Sequence, residues 1–394
     1  MAITINSTPE NYASAHDDLW FVVTSNNTGQ TNFKYVFEVF INSVLVATVK
    51  QFPDPVNSKG LFNAGSIIRN YISGYFKPVA GSQTLWTYDG DDIYLPYQIK
   101  YGEEYGGTTY LNLASNTVNA YNFVNQPFRS FASSELSAYV SDWLTRRDLN
   151  NVDVNFNESC FVSWMNPSGS TVAMTATIRQ LDQAGNTVGS PVTTSSQTIS
   201  TFSLMDISPV AINTMHGSTL IPSSAYGYGI KLNYGATSSD EIKCVIACQN
   251  KFTPVTLHFL NQLGGYESMT FRLVNKQSRQ VEGKAYRRNP YQYDSGSTSM
   301  RRYNANNVAN PGDVQFSTEQ SISYKLRSGY VSTVDWTWLR ELIVSPEVYM
   351  YQNGYHFPVR IKTNNWDERV KYADKSNFLD IEIESSVKIY SQFR

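Results

Sequence analysis

The apolar residues of this chain recur at every second position, in short runs closed by turn signals, and that spacing restricts it to β-sheet. In TVAMTATIRQL, Val172, Met174, Ala176, Ile178 and Leu181 stand against Thr and Arg. In FLDIEIESSVKIY, Leu379, Ile381 and Ile383 alternate with Asp380, Glu382 and Glu384, the pattern of a strand with one wet face. FKYVFEVF and VLVATVKQF flank Asn42-Ser43 as the two halves of a hairpin. A period of two puts successive side chains on opposite faces of a strand, whereas a helix needs a period of 3.6. No heptad run, long helix or internal repeat competes with it. Composition agrees: 27 Tyr and 20 Phe favour strands, and polarity comes from Ser, Thr, Asn, Gln and Gly, with only 16% charged residues. The expected fold is mainly β: a multi-domain chain of β-sandwich or β-barrel-like modules with a few short helices.

Three stretches suggest themselves in 394 residues. Residues 1–150 read as an amino-terminal β-rich domain with two short helices. FNAGSIIRNYIS is the first helix, burying Ile67, Ile68, Tyr71 and Ile72. SSELSAYVSDWLTRR is the second, capped by Ser133 or Ser134, with Arg146 and Arg147 at its carboxyl end. Another hairpin turns in GEEYGG. Residues 151–253 read as a β-sandwich-like domain, with turns at Pro167-Ser168-Gly169 and Gly185-Asn186. Residues 254–394 read as a carboxyl-terminal α+β module. It opens with two strands around Gly264-Gly265. It then has helix 333–344, with Ser332 or Thr333 as cap and Trp336, Leu339, Leu342 and Ile343 on one face. Pro346 stops that helix, and hairpin 348–361 turns at Asn353-Gly354. The helix, the hairpin, the last strand and strand 313–327 are expected to form one compact unit.

Chemistry is hard to find. The four histidines, His16, His216, His258 and His356, form no ligand pair, so no metal or other cofactor is expected. No GxSxG, P-loop or GxGxxG motif is present, and no enzyme is expected. Asp91-Asp92 and Glu103-Glu104 are adjacent acids, which on a strand point apart and usually face solvent. YDGDDIY offers Asp89, Asp91 and Asp92 to a hard cation but lacks the bidentate Glu of such loops. Three cysteines, Cys160, Cys244 and Cys248, are too few for a disulfide framework and read as buried thiols. The first residues carry no basic region or apolar run, so no signal peptide is expected and synthesis in a cytoplasm is. No stretch is long and apolar enough for a membrane helix. A net charge of −2 gives no global attraction to nucleic acid.

One cluster stands out. RQVEGKAYRRNPYQYDSGSTSMRRYN interleaves Arg279, Lys284, Arg287, Arg288, Arg301 and Arg302 with Tyr286, Tyr291, Tyr293 and Tyr303. It reads as a loop. Arg and Tyr dominate protein–protein hot spots, and the same pair tracks single-stranded nucleic acid. In a chain of this net charge the protein interface is the better reading, with solvated loop and DNA contact as alternatives. Exposed aromatic residues also suit the CH faces of a sugar.

The stretches LNQLGGYESMTFRL, WTWLRELIVSPEVYMYQNGYHFPVRI, DKSNFLDIEIESS and the terminal SQFR resemble the carboxyl half of structural proteins of tailed phages that infect Bacteroidetes, including crAss-like phages. NFKYVFEVFINSVLVATVKQFPDP with FNAGSIIRNYI is similar to the start of the same proteins. The resemblance covers both ends and leaves the middle sandwich unmatched. It implies a virion (tail) component made in the host bacterial cytoplasm: a tail hub, distal-tail, ring or baseplate protein. Such a protein forms a homo-oligomer and binds other tail proteins. Alternatives are a receptor-binding adhesin reading host surface glycan and a head-associated capsid protein. The resemblance implies no catalytic residues. Gly264, Gly265, Tyr266, Trp336, Trp338, Leu339, Pro346, Asn353, Gly354 and Tyr355 match it and read as fold-keeping positions.

Overall fold

A computed structural model describes residues 3–74, 76–78, 93–125, 134–166, 171–199, 201–246, 253–273, 275–304, 306–329, 331–352, 354–363 and 378–390. Asp89, Asp91, Asp92, Ser133, the turn at Pro167-Ser168-Gly169, Cys248, Asn353 and the terminal SQFR lie outside them. The chain is mainly β, with several separate sheets. It forms two compact units where the sequence suggested three stretches. The first holds residues 1–249, 258–270 and 333–346, and the second 250–257, 271–332 and 347–394.

The first unit has two apolar cores. One lies between a five-stranded sheet, in the order Ala13–Ser14, Thr108–Tyr121, Tyr94–Tyr105, Lys34–Ile41, Val44–Gln51, and a three-stranded sheet of Thr4–Ser7, Trp20–Thr24 and Gly60–Asn63. Tyr35, Phe37, Val39 and Ile41 bury the alternate positions of their strand. Phe37 stacks on Phe62 at 4.8 Å, and Phe21 meets Tyr97 edge-on at 6.1 Å. Asn42 and Ser43 both have positive φ (49° and 64°), as a two-residue hairpin turn matching the sheet twist requires.

Neither helix expected in this region forms at its expected length. The first is a single turn, Gly65–Ile68, started by Asn63 Oδ1 accepting from Gly65 N. Ile68 is buried as expected, but Tyr71 lies past the end and is half exposed. The second is a 3₁₀ turn, Glu135–Tyr139, with Ser134 Oγ accepting from Leu136 N. Ser141 then takes a left-handed φ of 68°. Its N–H and that of Leu144 bond to Met165 O (3.0 Å) and Ser163 O (2.9 Å), so pairing to a strand replaces the helix. Trp143 enters the second core, its Nε1 donating to Asp240 O at 2.8 Å.

That second core lies under a seven-stranded sheet. Its main path is Thr187–Thr193, Val172–Leu181, Gly227–Tyr234, Ile242–Ile246, Val152–Val154. A two-stranded sheet, Phe161–Met165 with Phe202–Asp206, adds to it, and the alternating face Val172, Met174, Ala176, Ile178 is buried. Cys160 and Cys244 are free, buried thiols, and burial pushes both up. A helix not expected from the sequence, Pro209–His216, is capped by Ser208 and closed by Gly217 at φ 75°.

The helix Thr333–Val344 forms as expected but belongs to this first unit, so the expected carboxyl-terminal α+β unit does not exist as such. Trp336, Leu339 and Leu342 are buried, and so is Trp338. Pro346 follows its end.

The second unit is built on an antiparallel sheet, with a separate two-stranded sheet, Gln292–Asp294 and Ser299–Arg301. The order is Val348–Gln352, Tyr355–Ile361, Asp380–Ser385, Asp313–Arg327, Lys276–Arg287, with Ile389–Tyr390 also paired to Asp313–Arg327. The hairpin turns with Gly354 at φ 85°. In Asp380–Ser385, Ile381 and Ile383 are buried. On the wet face Asp380 is bidentate to Arg327 (both 2.7 Å), and Glu384 meets Arg360 at 2.8 Å.

Candidate interface and a buried carboxylate network

The Arg/Tyr stretch is a two-stranded arm rather than a loop. Lys276–Arg287 pairs antiparallel with Asp313–Arg327, from Lys276 opposite Lys325 to Arg287 opposite Asp313, with a bulge between Lys284 and Ala285. At ~3.3 Å per residue the twelve residues of Lys276–Arg287 extend roughly 40 Å. Arg288 N continues the ladder to Gly312 O. A small hairpin, Gln292–Asp294 with Ser299–Arg301, closes the tip, and Tyr303 bridges to Ala309. Alternation is missing from the sequence because both faces of the ribbon are wet, so nothing forces apolar residues to one side.

At its base the arm is part of the sheet, with Ser323–Arg327 paired to Asp380–Glu384. Glu319 and Gln320 pair with Ile389–Tyr390. Beyond that, Asp313–Thr318 has Lys276–Arg287 as its single neighbouring strand among the described residues. Val281, Tyr291, Tyr293, Met300, Tyr303 and Val308 are each at least half exposed. Tyr286 and Phe316 meet across the ribbon at 6.1 Å and remain exposed. Arg301 is held by Asp294 at 2.7 Å, and hydrogen bonds from Ser297 and Gly296, with Arg301 nearby, hold that carboxyl below its usual range. Arg287, Arg288, Arg302 and Lys284 have no ion-pair partner among the described residues. All ten candidate interface residues therefore lie along one ribbon and its tip.

A second exposed feature lies in the first unit. Val44–Gln51 is the edge of its sheet among the described residues, and Val44 and Leu45 are exposed on it. The other apolar-core sheet ends on Thr187–Thr193, which carries Pro191, Gly189 at φ 75° and a bulge in its pairing. Those devices blunt an edge, whereas Val44–Gln51 has a bulge at Val46 and Lys50 but neither Pro nor Gly.

The sequence also hides a buried charged network in the first unit. Arg146 Nη2 meets Glu135 Oε1 at 2.8 Å and Arg146 Nη1 meets Glu341 Oε1 at 2.7 Å, with all three side chains less than a tenth exposed. Glu341 Oε2 accepts from Gln262 N at 3.0 Å. Beside it, Glu267 Oε2 accepts from Trp338 Nε1 (2.7 Å) and Asn261 Nδ2 (3.0 Å). Burial first, and then the charge of Glu341, push Glu267 up to about 7. Burial lifts Glu341 too, against the pull of Arg146. Arg146 is pressed down by burial but carried above its usual value by Glu341 and Glu135. These carboxylates are saturated by fixed donors from three distant stretches, so the network fastens the Thr333–Val344 helix to segments 135–146 and 261–267. Its sequence signal is Glu341, which falls three residues after Trp338 on the buried stripe of the helix.

Other candidate residues are separated. Glu103 and Glu104 point apart, but Glu103 does not face solvent: it is buried, accepting from Ser25 Oγ (2.5 Å) and Asn27 Nδ2 (2.7 Å). Glu104 pairs with Lys50. The described residues hold no group of three or more His, Cys, Asp or Glu placed to share an ion. The positions Gly264 and Gly265 are tightly constrained: a Cβ at Gly264 would lie 2.2 Å from Asn122 O and one at Gly265 2.7 Å from Ser163 Cβ. A scan against protein-family models finds no match, and a search of curated proteins finds no relative.

Proposed function

We propose that this chain is a structural protein of a tailed-phage particle, a tail hub, distal-tail, ring or baseplate component that assembles as a multimer and links neighbouring tail proteins. The observation that carries the reading is the arm. A two-stranded ribbon is marginally stable by itself, yet the outer part of this one, Asp313–Thr318 with Gly283–Arg287, has no further strand beside it among the described residues, and the arm presents Arg, Tyr, Val and Met to solvent. Arg and Tyr dominate protein–protein hot spots and Met is enriched at interfaces, where large side chains anchor and guanidinium groups fix register. The open edge Val44–Gln51 supports further contacts between subunits. The resemblance of both chain ends to tailed-phage structural proteins supplies the setting. Catalytic residues, cofactors and membrane contacts play no part in this reading.

The test is the state of the purified chain. Mass photometry and negative-stain imaging should show one discrete symmetric oligomer, alone or with neighbouring tail proteins. A chain that stays monomeric and binds no other particle component contradicts the reading. The three tyrosines at or near the arm tip, Tyr291, Tyr293 and Tyr303, favour a second reading, a receptor-binding adhesin for host surface glycan. Failure to bind both host cells and a glycan array removes it.

A further inference from the structure

We infer that the arm 276–327 docks on a second copy of this chain, and that charge selects this partner. The inference rests on the multimeric reading above and names which surface makes the contact. Residues 276–327 carry nine basic side chains against four acidic ones, a net +5. The whole chain is −2, so the remaining residues sum to −7. The arm is therefore a basic projection from a chain that is otherwise acidic, and each copy carries both halves of a complementary pair. Like arms repel each other. An arm against the remainder of another copy attracts, which favours a head-to-tail contact over an isologous one.

The distribution of partners along the arm points the same way. Two basic groups at the base are paired across the sheet: Arg327 with Asp380, Lys325 with Glu382 at 3.5 Å. Of the basic groups without an ion-pair partner among the described residues, Lys284, Arg287, Arg288 and Arg302 lie in the outer part, where Asp313–Thr318 has no second neighbouring strand, and only Lys276 and Arg279 lie nearer the base. Tyr293, Met300 and Tyr303 are exposed among them. A solvated ribbon would not need apolar side chains at its tip, and a nucleic-acid track would not need Val281, Met300 and Val308. Long basic side chains around exposed aromatic and aliphatic ones form a contact whose polar rim steers and whose apolar centre holds. A head-to-tail contact of this kind closes into a ring when its rotation divides a full turn and otherwise makes a filament.

The experiment compares the full-length chain with R287S/R288S/R301S/R302S and, separately, with Y293S/Y303S, by sedimentation velocity at 50 mM and 500 mM NaCl, with thermal melting as a folding check. The wild-type chain should form a multimer at low salt whose dissociation constant rises at least tenfold at high salt. The arginine variant should remain monomeric at concentrations where the wild type assembles, with an unchanged melting temperature. The tyrosine variant should assemble weakly and keep the salt dependence. Variants that assemble like the wild type overturn the inference and leave the multimeric reading standing. A wild-type chain that is monomeric throughout overturns both. Binding of labelled single-stranded DNA that the arginine variant loses, without change in assembly, also overturns it.

Discussion

Replacing Glu267 by Gln should make the protein more stable at neutral and alkaline pH, and the reason can be followed group by group. Glu267 is buried beside Glu341, and burial first, then that neighbouring charge, raise its carboxyl from 4.5 to about 7. A carboxyl raised in the folded state keeps its proton there while the unfolded chain has lost it. Between pH 4.5 and about 7 the native state thus binds more protons, and stability falls as pH rises. The contribution is fully present below 4.5 and lost above about 7. Taken over that interval, at ~1.4 kcal/mol per pH unit, the loss is about 3 kcal/mol. Gln keeps the shape and needs no proton. Its carbonyl oxygen can accept from Trp338 Nε1 and Asn261 Nδ2 as Glu267 Oε2 does, and its NH₂ can donate to Thr145, which already bonds this side chain. Urea titrations at intervals from pH 4.5 to 8 for both proteins read the effect. The difference between E267Q and wild type should be near zero at pH 4.5 and rise by about 3 kcal/mol toward pH 8. The exposed carboxylates held low, such as Asp380 and Asp182, cancel in that difference. Parallel stability curves, or a variant that loses stability as pH rises, would refute the reasoning.

Four further substitutions probe the same frame by chemical denaturation. Arg146→Met leaves Glu135 and Glu341 buried without their cation and should cost about 3–5 kcal/mol, partly restored by adding E341Q. Gly264→Ala places a Cβ against the immovable Asn122 O at φ 85°, whereas Gly354→Ala, at the same φ, meets open space. The first should cost roughly 2–4 kcal/mol and the second about 1. Trp338→Ala removes the ring packed on Phe259 at 5.7 Å and a donor to Glu267, and should cost about 3–5 kcal/mol.

What the sequence shows and what it hides divide along physical lines. Strands with one buried face were legible, because Tyr35, Phe37 and Val39, or Ile381 and Ile383, must alternate to bury anything. The hairpins at Asn42-Ser43 and at Gly354 were legible through their turn residues. The Pro209–His216 helix was marked by Ser208, Pro209 and Gly217, an unused start-and-stop signal. Helix propensity misled at 134–147, because Trp143 and Leu144 gain more by entering a core and bonding to a neighbouring strand than by continuing a helical turn. The arm read as a loop because a ribbon wet on both faces has no hydrophobic period. Its Arg and Tyr density is nonetheless plain in the sequence. The Arg146 network could not be assembled from sequence, since directly bonded members are separated by as many as 195 positions.

The most direct test of the account is where the chain lies in an intact particle. Gold-labelled antibody against this chain, with its copy number read from a quantified gel of purified phage, separates tail from head and fibre. The account expects label on the tail and tens of copies or fewer. Label over the head, copy numbers in the hundreds, or no chain in the particle would contradict it.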